Sequence, residues 1–207
     1  MTRLRAGLAA LMLSSSAALA QQTDITVALQ LEPPNLDPTA NAAGAIDSVL
    51  YTNVFEGLTK FAEDGSVLPG LARSWEISED GTTYTFHLAP GVTFHDGTAM
   101  DAEDVKFTLD RARADDSQNA QKALFTGITD VTVTDPQTVT VTLGAPDGTL
   151  LFNLAWGDAV IVAPESIEGI AQTPIGTGPF RFDRWVQGDR IELSQYDGYW
   201  GTRPALT

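Results

Sequence analysis

Two histidines are the first candidates for chemistry in this 207-residue chain, because the sequence contains no cysteine. His87 and His95 are eight residues apart, and neither the H-E-x-x-H spacing nor another zinc pattern surrounds them. His87 falls on the polar side of an alternating segment, and His95 opens the turn His95-Asp96-Gly97. We therefore expect structural or solvent-facing roles for both, and predict no metal site.

Paired carboxylates are the second candidates, because glycosidases and related hydrolases use two of them. Four acidic pairs lie in predicted turns or at helix ends, where aspartate accepts backbone hydrogen bonds. They are Glu63-Asp64, Glu79-Asp80, Glu103-Asp104 and Asp115-Asp116. Neither a G-x-S-x-G elbow nor a calcium-loop ladder occurs. The sequence predicts no catalytic residue and no cofactor, and leaves a periplasmic hydrolase that uses surface carboxylates as the alternative.

The first twenty residues have the order of a secretory signal peptide. Arg3 and Arg5 precede a short apolar run, and Ala18-Leu19-Ala20 supplies the small residues of a cleavage site. We expect the mature chain to start at Gln21 and, without cysteine, to carry no lipid anchor. Loss of the two arginines takes the net charge from −15 to −17, which would repel nucleic acid and anionic membranes. A periplasmic protein is predicted.

The rest of the chain predicts a mixed α/β fold with mostly antiparallel strands. Asp-Gly turns at residues 64–65, 80–81 and 96–97 recur every sixteen residues, which suggests an antiparallel meander. Tyr84, Phe86 and Leu88 alternate with polar residues, as in a half-buried strand. Asp101 is a good N-cap for a helix reaching about residue 113. Further helices are expected from Ile46 towards Gly57 and near Thr149, and a hairpin over 180–195.

Several ordered motifs resemble solute-binding protein family 5, the peptide- and nickel-type binding proteins of ABC importers. The motifs are NLDP (35–38), FEGL (55–58), PGLARSWE (69–76), SEDGTTYTFHL (78–88), GVTFHDGT (91–98), DAEDVKF (101–107), PIGTGPF (174–180) and YWG (199–201). They extend over nearly all of the predicted mature chain. The resemblance is therefore specific in both content and order.

The resemblance implies a type II periplasmic binding protein fold, in which two lobes close around a solute and deliver it to a membrane permease. Residues 21–44 and 172–207 would form one discontinuous, incomplete first-lobe subdomain, and residues 45–171 a smaller one that holds the meander. The second lobe is absent from these 207 residues, so we expect a truncated form. The implied partners are a peptide-like solute and an ABC permease, and the complete receptor is expected to be a monomer. A structural or carbohydrate-binding β module would explain the hairpins but not the ordered motifs.

The resemblance also suggests ligand contacts. Glu32, Pro33 and Pro34 precede the first motif, in the segment that would border the cleft. The two prolines reduce strand-like pairing with an extended ligand, because proline lacks a backbone donor. Trp156 and the loop Gly176-Thr177-Gly178 are the other candidates. A phosphate-binding role for that loop is disfavoured because Pro179 follows it and no Gly-Lys-Ser/Thr occurs. Packing or turn geometry is the alternative reading for all seven residues.

Export is the first testable prediction. The charged, apolar and small-residue regions of residues 1–20 predict cleavage after Ala20. The intact mass of protein recovered from the periplasm should correspond to a chain that begins at Gln21. Recovery only of cytoplasmic protein that retains Met1 would show that this segment is not a signal peptide.

Overall fold

The computed structural model describes residues 24–41 and 43–206, so the predicted signal peptide lies outside the described residues. The helices are α1 (Gly44–Leu50), α2 (Ala102–Arg113) and α3 (Leu150–Asn153), with short 3-10 helices at Lys122–Phe125, Gly157–Ala159 and Pro164–Ser166. The strands are β1 (Thr59–Phe61), β2 (Val67–Pro69), β3 (Ala72–Ile77), β4 (Thr83–Leu88), β5 (Ile128–Asp135), β6 (Thr138–Leu143), β7 (Phe180–Val186) and β8 (Arg190–Gln195). Across these described ranges, no helix combines the length and apolar composition that a membrane span requires.

A four-stranded antiparallel sheet forms the larger core. Its order is β3-β4-β6-β5, and β4 buries Tyr84, Phe86 and Leu88 as its alternation predicts. Tyr84 and Phe86 pair with Val141 and Val139 of β6. The order differs from a continuous meander because α2 follows β4, and the β5–β6 hairpin then returns with β6 beside β4. The mixed α/β class with antiparallel strands is confirmed.

The hairpin turns follow the Asp-Gly pairs at two of the three regularly spaced sites. Gly65 and Gly81 both have positive φ and connect β1 to β2 and β3 to β4. Gly97 also has positive φ, but the chain around it forms a single bridge between Thr93 and Ala99. The third turn therefore closes a tight loop and does not start a new pair of strands.

Helix α2 begins at its predicted cap and separates two apolar clusters. The Asp101 carboxylate accepts a hydrogen bond from Glu103 N–H at 2.8 Å, and Asp104 accepts one from Asp101 N–H at 2.9 Å. Val105 and Leu109 pack into the sheet core, whereas Phe107 packs against the second cluster. Phe107 is therefore covered from a different side of the helix than Val105 and Leu109.

The second cluster joins α1 to distant parts of the chain. Its buried members are Leu36, Ile46, Val49, Leu50, Val54, Phe55, Val160, Val162 and Ile170, and Phe182, Trp185, Ile191 and Leu193 pack against it. Helix α1 ends at Leu50, earlier than expected, because Tyr51 is extended and Thr52 has φ 60°. The cluster thus brings residues from both predicted subdomains into contact, and the boundary at residues 44/45 stays a prediction.

An extended segment over residues 24–31 carries apolar side chains at alternate positions on the surface. Ile25, Val27, Leu29 and Leu31 are 65%, 68%, 44% and 74% exposed. None of the described strands pairs with this segment. Unpaired backbone groups beside exposed apolar side chains favour pairing with another chain.

We predict that this 207-residue chain self-associates through residues 24–31. Val27→Lys should lower the association, because a charge at an edge position opposes strand pairing. Gln30→Lys is the matched control, since it adds the same charge at an exposed polar position of the same segment. Sedimentation velocity over a concentration series measures the effect. If Val27→Lys and wild type associate equally, this segment is not the interface.

Candidate functional site

Residues 53–59, here called the central segment, connect most of the described structure. Their backbone carbonyls accept hydrogen bonds from three separate parts of the chain. The pairs are Asn53 with Phe180 N–H, Val54 with Gly178 N–H, Glu56 with Ile161 N–H, Gly57 with Leu71 N–H and Leu58 with Ala72 N–H, all at 2.9–3.0 Å. The segment therefore fixes the positions of the loops that carry the candidate site residues.

The Glu56 carboxylate is buried, with 9% of the residue exposed. Thr177 Oγ1 and Trp200 Nε1 donate to its Oε2 at 3.0 and 2.9 Å, and Tyr199 Oη donates to its Oε1 at 3.0 Å. Burial raises the pKa of Glu56, and the three hydrogen bonds oppose that rise. Burial and the nearby Glu56 charge also raise the pKa of Tyr199. The carboxylate joins the central segment to two distant stretches of chain.

The Gly176-Thr177-Gly178 loop lies against the backbone of the central segment. A Cβ added at Gly176 would lie 2.0 Å from the Val54 carbonyl oxygen, and one at Gly178 would lie 2.3 Å from the Asn53 carbonyl oxygen. Thr177 is fully buried, with its hydroxyl bonded to Glu56. Only glycine allows this close approach. The contacts of this loop are packing and turn contacts.

His95 holds the same loop from the other side. Its ring Nδ1 accepts from Gly176 N–H at 3.3 Å, so the neutral ring carries its proton on Nε2 and donates to the Gly178 carbonyl at 2.9 Å. Burial lowers the pKa of His95, which keeps the ring neutral. The ring also lies 4.9 Å from that of Tyr196, edge to face. His95 therefore has a structural role. The sequence had predicted either a structural or a solvent-facing role for it.

Trp156 belongs to a group of three aromatic residues at the surface, here called the aromatic patch. The ring centroids of Phe61 and Phe152 are 4.9 Å apart, and Trp156 lies 5.9 Å from Phe61 and 6.1 Å from Phe152. Phe152 and Trp156 remain 44% and 41% exposed. Edge-to-face packing fixes the rings while leaving them accessible. The patch offers a rigid apolar contact surface.

A small cleft of about 80 Å³ adjoins the aromatic patch. Tyr51, Thr52, Lys60 and Tyr199 line it together with Glu56. Lys60 precedes Phe61 of the patch in the chain, and the Tyr51 hydroxyl donates to the carbonyl of Ala155, next to Trp156. Thr52 has φ 60°, a conformation that costs a non-glycine residue free energy and is concentrated at functional sites. Tyr51 and Lys60 of the cleft therefore lie near the chain segments that carry Trp156 and Phe61.

Glu32 lies elsewhere, against the turn between β7 and β8. Its Oε1 accepts from Trp185 Nε1 and from Gly188 N–H, both at 2.8 Å. Pro33 is buried and Pro34 is exposed. Five of the seven predicted contacts therefore fall in three places: the hairpin for Glu32, the central segment for the three residues of the glycine loop, and the aromatic patch for Trp156.

The acidic pairs serve as turn and cap residues. Asp64 accepts from the backbone and hydroxyl of Ser66, and Asp80 accepts from Ser78 and Thr82. These hydrogen bonds lower the pKa of both carboxyls, opposite to what a general acid requires. Within residues 24–41 and 43–206, no group of three metal-ligating side chains occurs. None of these observations supports hydrolysis.

The sequence did not single out Glu56, Tyr51, Lys60, Tyr199 or Trp200 as site residues. Glu56 lies in the motif FEGL, and Tyr199 and Trp200 lie in YWG, two of the motifs that carried the family resemblance. A charged residue between apolar neighbours, as in Phe55-Glu56-Gly57-Leu58, was the available signal. Its donors are 121 to 144 residues away, so the pattern alone could not identify them.

Comparison with known proteins agrees with this architecture. A glutathione-binding protein, GsiB from Pectobacterium atrosepticum, is 36% identical over 199 residues, which cover 94% of this chain and 38% of that protein. NikZ from Campylobacter jejuni, solved in complex with Ni(L-His), matches with TM-score 0.75 and 29% identity, covering 84% of this chain and 35% of NikZ. AppA from Bacillus subtilis, an oligopeptide-binding protein solved with a nonapeptide, matches with TM-score 0.77 and 28% identity, covering 84% and 36%.

The chain thus spans about two fifths or less of the length of these relatives. The model of the family described as bacterial extracellular solute-binding proteins, family 5 Middle, matches residues 66–207. That match covers more than half of the chain and includes six of the eight motifs from which the resemblance was drawn. The chain therefore belongs to the family 5 bacterial extracellular solute-binding proteins.

Proposed function

We propose that this chain forms one wall of a solute-binding cleft in a periplasmic receptor that serves an ABC importer. The observation that carries the proposal is that the polar cleft lies close to the aromatic patch, to which the Tyr51–Ala155 hydrogen bond and strand β1 connect it. Ligand sites combine apolar area with a few placed polar groups, and this region has both. Trp156 is the candidate contact from the sequence that lies on it.

The proposed solute is peptide-like and carries a carboxylate. GsiB is named for glutathione, AppA was solved with a nonapeptide and NikZ with a nickel–histidine complex, so amino-acid-derived molecules are common to all three. In this chain, Lys60 is exposed at the cleft and can pair with a carboxylate. Trp156 and Phe152 would pack against an apolar side chain.

The proposed activity is binding and delivery without a chemical step. His95 is occupied on both ring nitrogens by the glycine loop, and Asp64, Asp80 and Asp104 serve turns and a cap. These groups therefore have roles within the fold. The partners in this proposal are the solute and an inner-membrane permease. The net charge of −15 argues against nucleic acid.

Glu56 connects the two proposed subdomains. It lies within residues 45–171, and its donors Thr177, Tyr199 and Trp200 lie within residues 172–207. We propose that this carboxylate ties the two parts of the wall together. Its hydrogen bonds then keep the cleft residues Tyr51 and Lys60 in register with Tyr199.

Replacing Trp156 tests the proposed surface. Trp156→Ala should lower affinity for the solute about tenfold or more, since truncating a central aromatic contact commonly costs at least ~1.4 kcal/mol. Calorimetric titration with glutathione and short peptides, on protein purified at the length the cell produces, measures this. Ile77→Ala is the matched control, because Ile77 is an exposed apolar residue of β3. Unchanged affinity in Trp156→Ala would remove the patch from the binding site.

Replacing Glu56 tests whether its carboxylate holds the two parts of the wall together. Glu56→Ala should lower the free energy of unfolding by about 3 kcal/mol, because it leaves Thr177, Tyr199 and Trp200 without their acceptor. Glu56→Gln can keep all three bonds if its amide oxygen accepts from Thr177 and Trp200 while its NH₂ donates to Tyr199. It should therefore cost much less.

The free energy of unfolding of wild type and of Glu56→Gln should also differ in its dependence on pH. The folded-state pKa of Glu56 is raised, so its contribution to stability is lost as pH rises from the ordinary glutamate range through that folded pKa. Glu56→Gln should remove this part of the loss. Urea unfolding of wild type and both variants at several pH values measures this difference. Equal destabilisation by Ala and Gln, with unchanged pH dependence, would show that the carboxylate does not act as described.

A further inference from the structure

Another buried carboxylate lies two residues after Trp156, and the proposed function does not use it. Asp158, in the 3-10 helix Gly157–Ala159, is 5% exposed. Its Oδ1 is the buried side-chain oxygen that finds no hydrogen-bond donor within residues 24–41 and 43–206. An ionised carboxylate in that position would have lost its hydration without replacement, which is strongly unfavourable.

Asp47 of α1 lies against the same turn. A Cβ added at Gly157 would be 2.3 Å from Asp47 Oδ1 and 2.7 Å from its Cγ, so the Asp47 carboxyl rests on the backbone immediately before Asp158. Glycine at position 157 is what allows this contact. The half-buried Asp47 and the buried Asp158, from different elements, therefore meet at the junction between α1 and the Trp156 turn.

The groups that face this junction supply no positive charge. Tyr51, which follows α1, donates its hydroxyl to the Ala155 carbonyl, and Asn119 of the 114–121 loop donates to the Asp158 carbonyl at 2.9 Å. Helix α2 packs against the turn, but its charged side chains are engaged elsewhere or exposed. These are Lys106 and Arg113 with Asp110, Arg111 with Asp37, Asp104 in the cap, and exposed Glu103. No ion pair to Asp47 or Asp158 occurs among the described residues.

We propose that Asp47 and Asp158 share a single proton, which holds the Trp156 turn against α1 and is released to solvent as the pH rises. One protonated carboxyl can donate an O–H to its neighbour, which satisfies an acceptor that otherwise has no donor. Loss of that proton leaves two like charges facing each other in a poorly solvated place. The repulsion would loosen the turn that carries Trp156.

The electrostatics of the two groups agree with this geometry. Burial raises the pKa of Asp47, and burial together with the Asp47 charge raises the pKa of Asp158 to about 6. A carboxyl with a raised folded-state pKa stabilises the fold below the ordinary aspartate range. That stability is lost as pH rises from there through about 6, and stays lost above.

The test is a carboxyl-carbon NMR titration of the chain, with Asp158→Asn and Asp47→Asn to assign the signals. Wild type should show two carboxyls that titrate near pH 6, those of Asp158 and of the cap residue Asp104, whose pKa burial also raises to about 6. The Asp158 signal should be missing in Asp158→Asn and should move towards the ordinary aspartate range in Asp47→Asn, while the Asp104 signal stays near pH 6 in both. Glu79→Gln, at an exposed position of the β3–β4 turn, removes the same charge and should leave the titration unchanged.

Urea unfolding provides the second readout. Between pH 4.5 and 7.5 the wild-type unfolding constant should rise about tenfold more than that of Asp158→Asn, as expected for a shift of a pKa unit or more. Glu56 and Asp104, whose pKa values burial also raises, are present in both proteins, so their contributions cancel in this comparison. If Asp158 titrates in the ordinary aspartate range, the proposal is wrong. Assignment of the Asp158 carboxyl through its own backbone signals in wild type gives that answer even if the variants do not fold.

Discussion

The structure depends on burying the Glu56 carboxylate in the middle of the central segment. A carboxylate removed from water needs donors, and three side chains supply them: Thr177, Tyr199 and Trp200. Since those donors lie more than 120 residues further along the chain, the requirement fixes how the C-terminal stretch folds back. The close approach then requires glycine at 176 and 178, because any side chain there would collide with the central backbone.

A surface held in this way can bind a solute with little rearrangement. The aromatic patch and the cleft take their positions from β1, from α3 and from the turn before Val160, all of which hydrogen-bond to the central segment or its flanks. Rigid placement reduces the entropy lost on binding. The structure therefore separates two roles. Buried polar groups such as Glu56 and His95 hold the loops, while exposed groups such as Trp156 and Lys60 remain available to a solute.

Local sequence patterns predicted helices and strands, but they could not predict contacts between residues that are distant in the chain. Alternation gave the buried face of β4, and Asp101 gave the start of α2, because both signals act within a few residues. The early end of α1 depends on the backbone conformation at Thr52, which a helical stripe of apolar residues does not reveal. The place of β6 beside β4 depends on where α2 packs.

The same limit applies to the candidate site. The sequence proposed Trp156 and the glycine loop as ligand contacts, but it could not show that Trp156 is exposed whereas Thr177 is buried. Glu32 and Thr177 were proposed as contacts, and the structure gives both a hydrogen-bonding role within the fold. Lys60 and Tyr51 carried no sequence signal, since an isolated lysine or tyrosine is common on any surface. Only the fold places them beside Trp156.

The most direct measurement is an NMR titration of ¹⁵N-labelled protein with glutathione, following its four tryptophan indole N–H signals. The account predicts that the Trp156 indole shifts on binding, together with backbone amides around Lys60, while Trp75 and Trp185 remain unchanged. Shifts confined to Trp185 and the β7–β8 hairpin, where Glu32 and a broad, open depression lie, would contradict it.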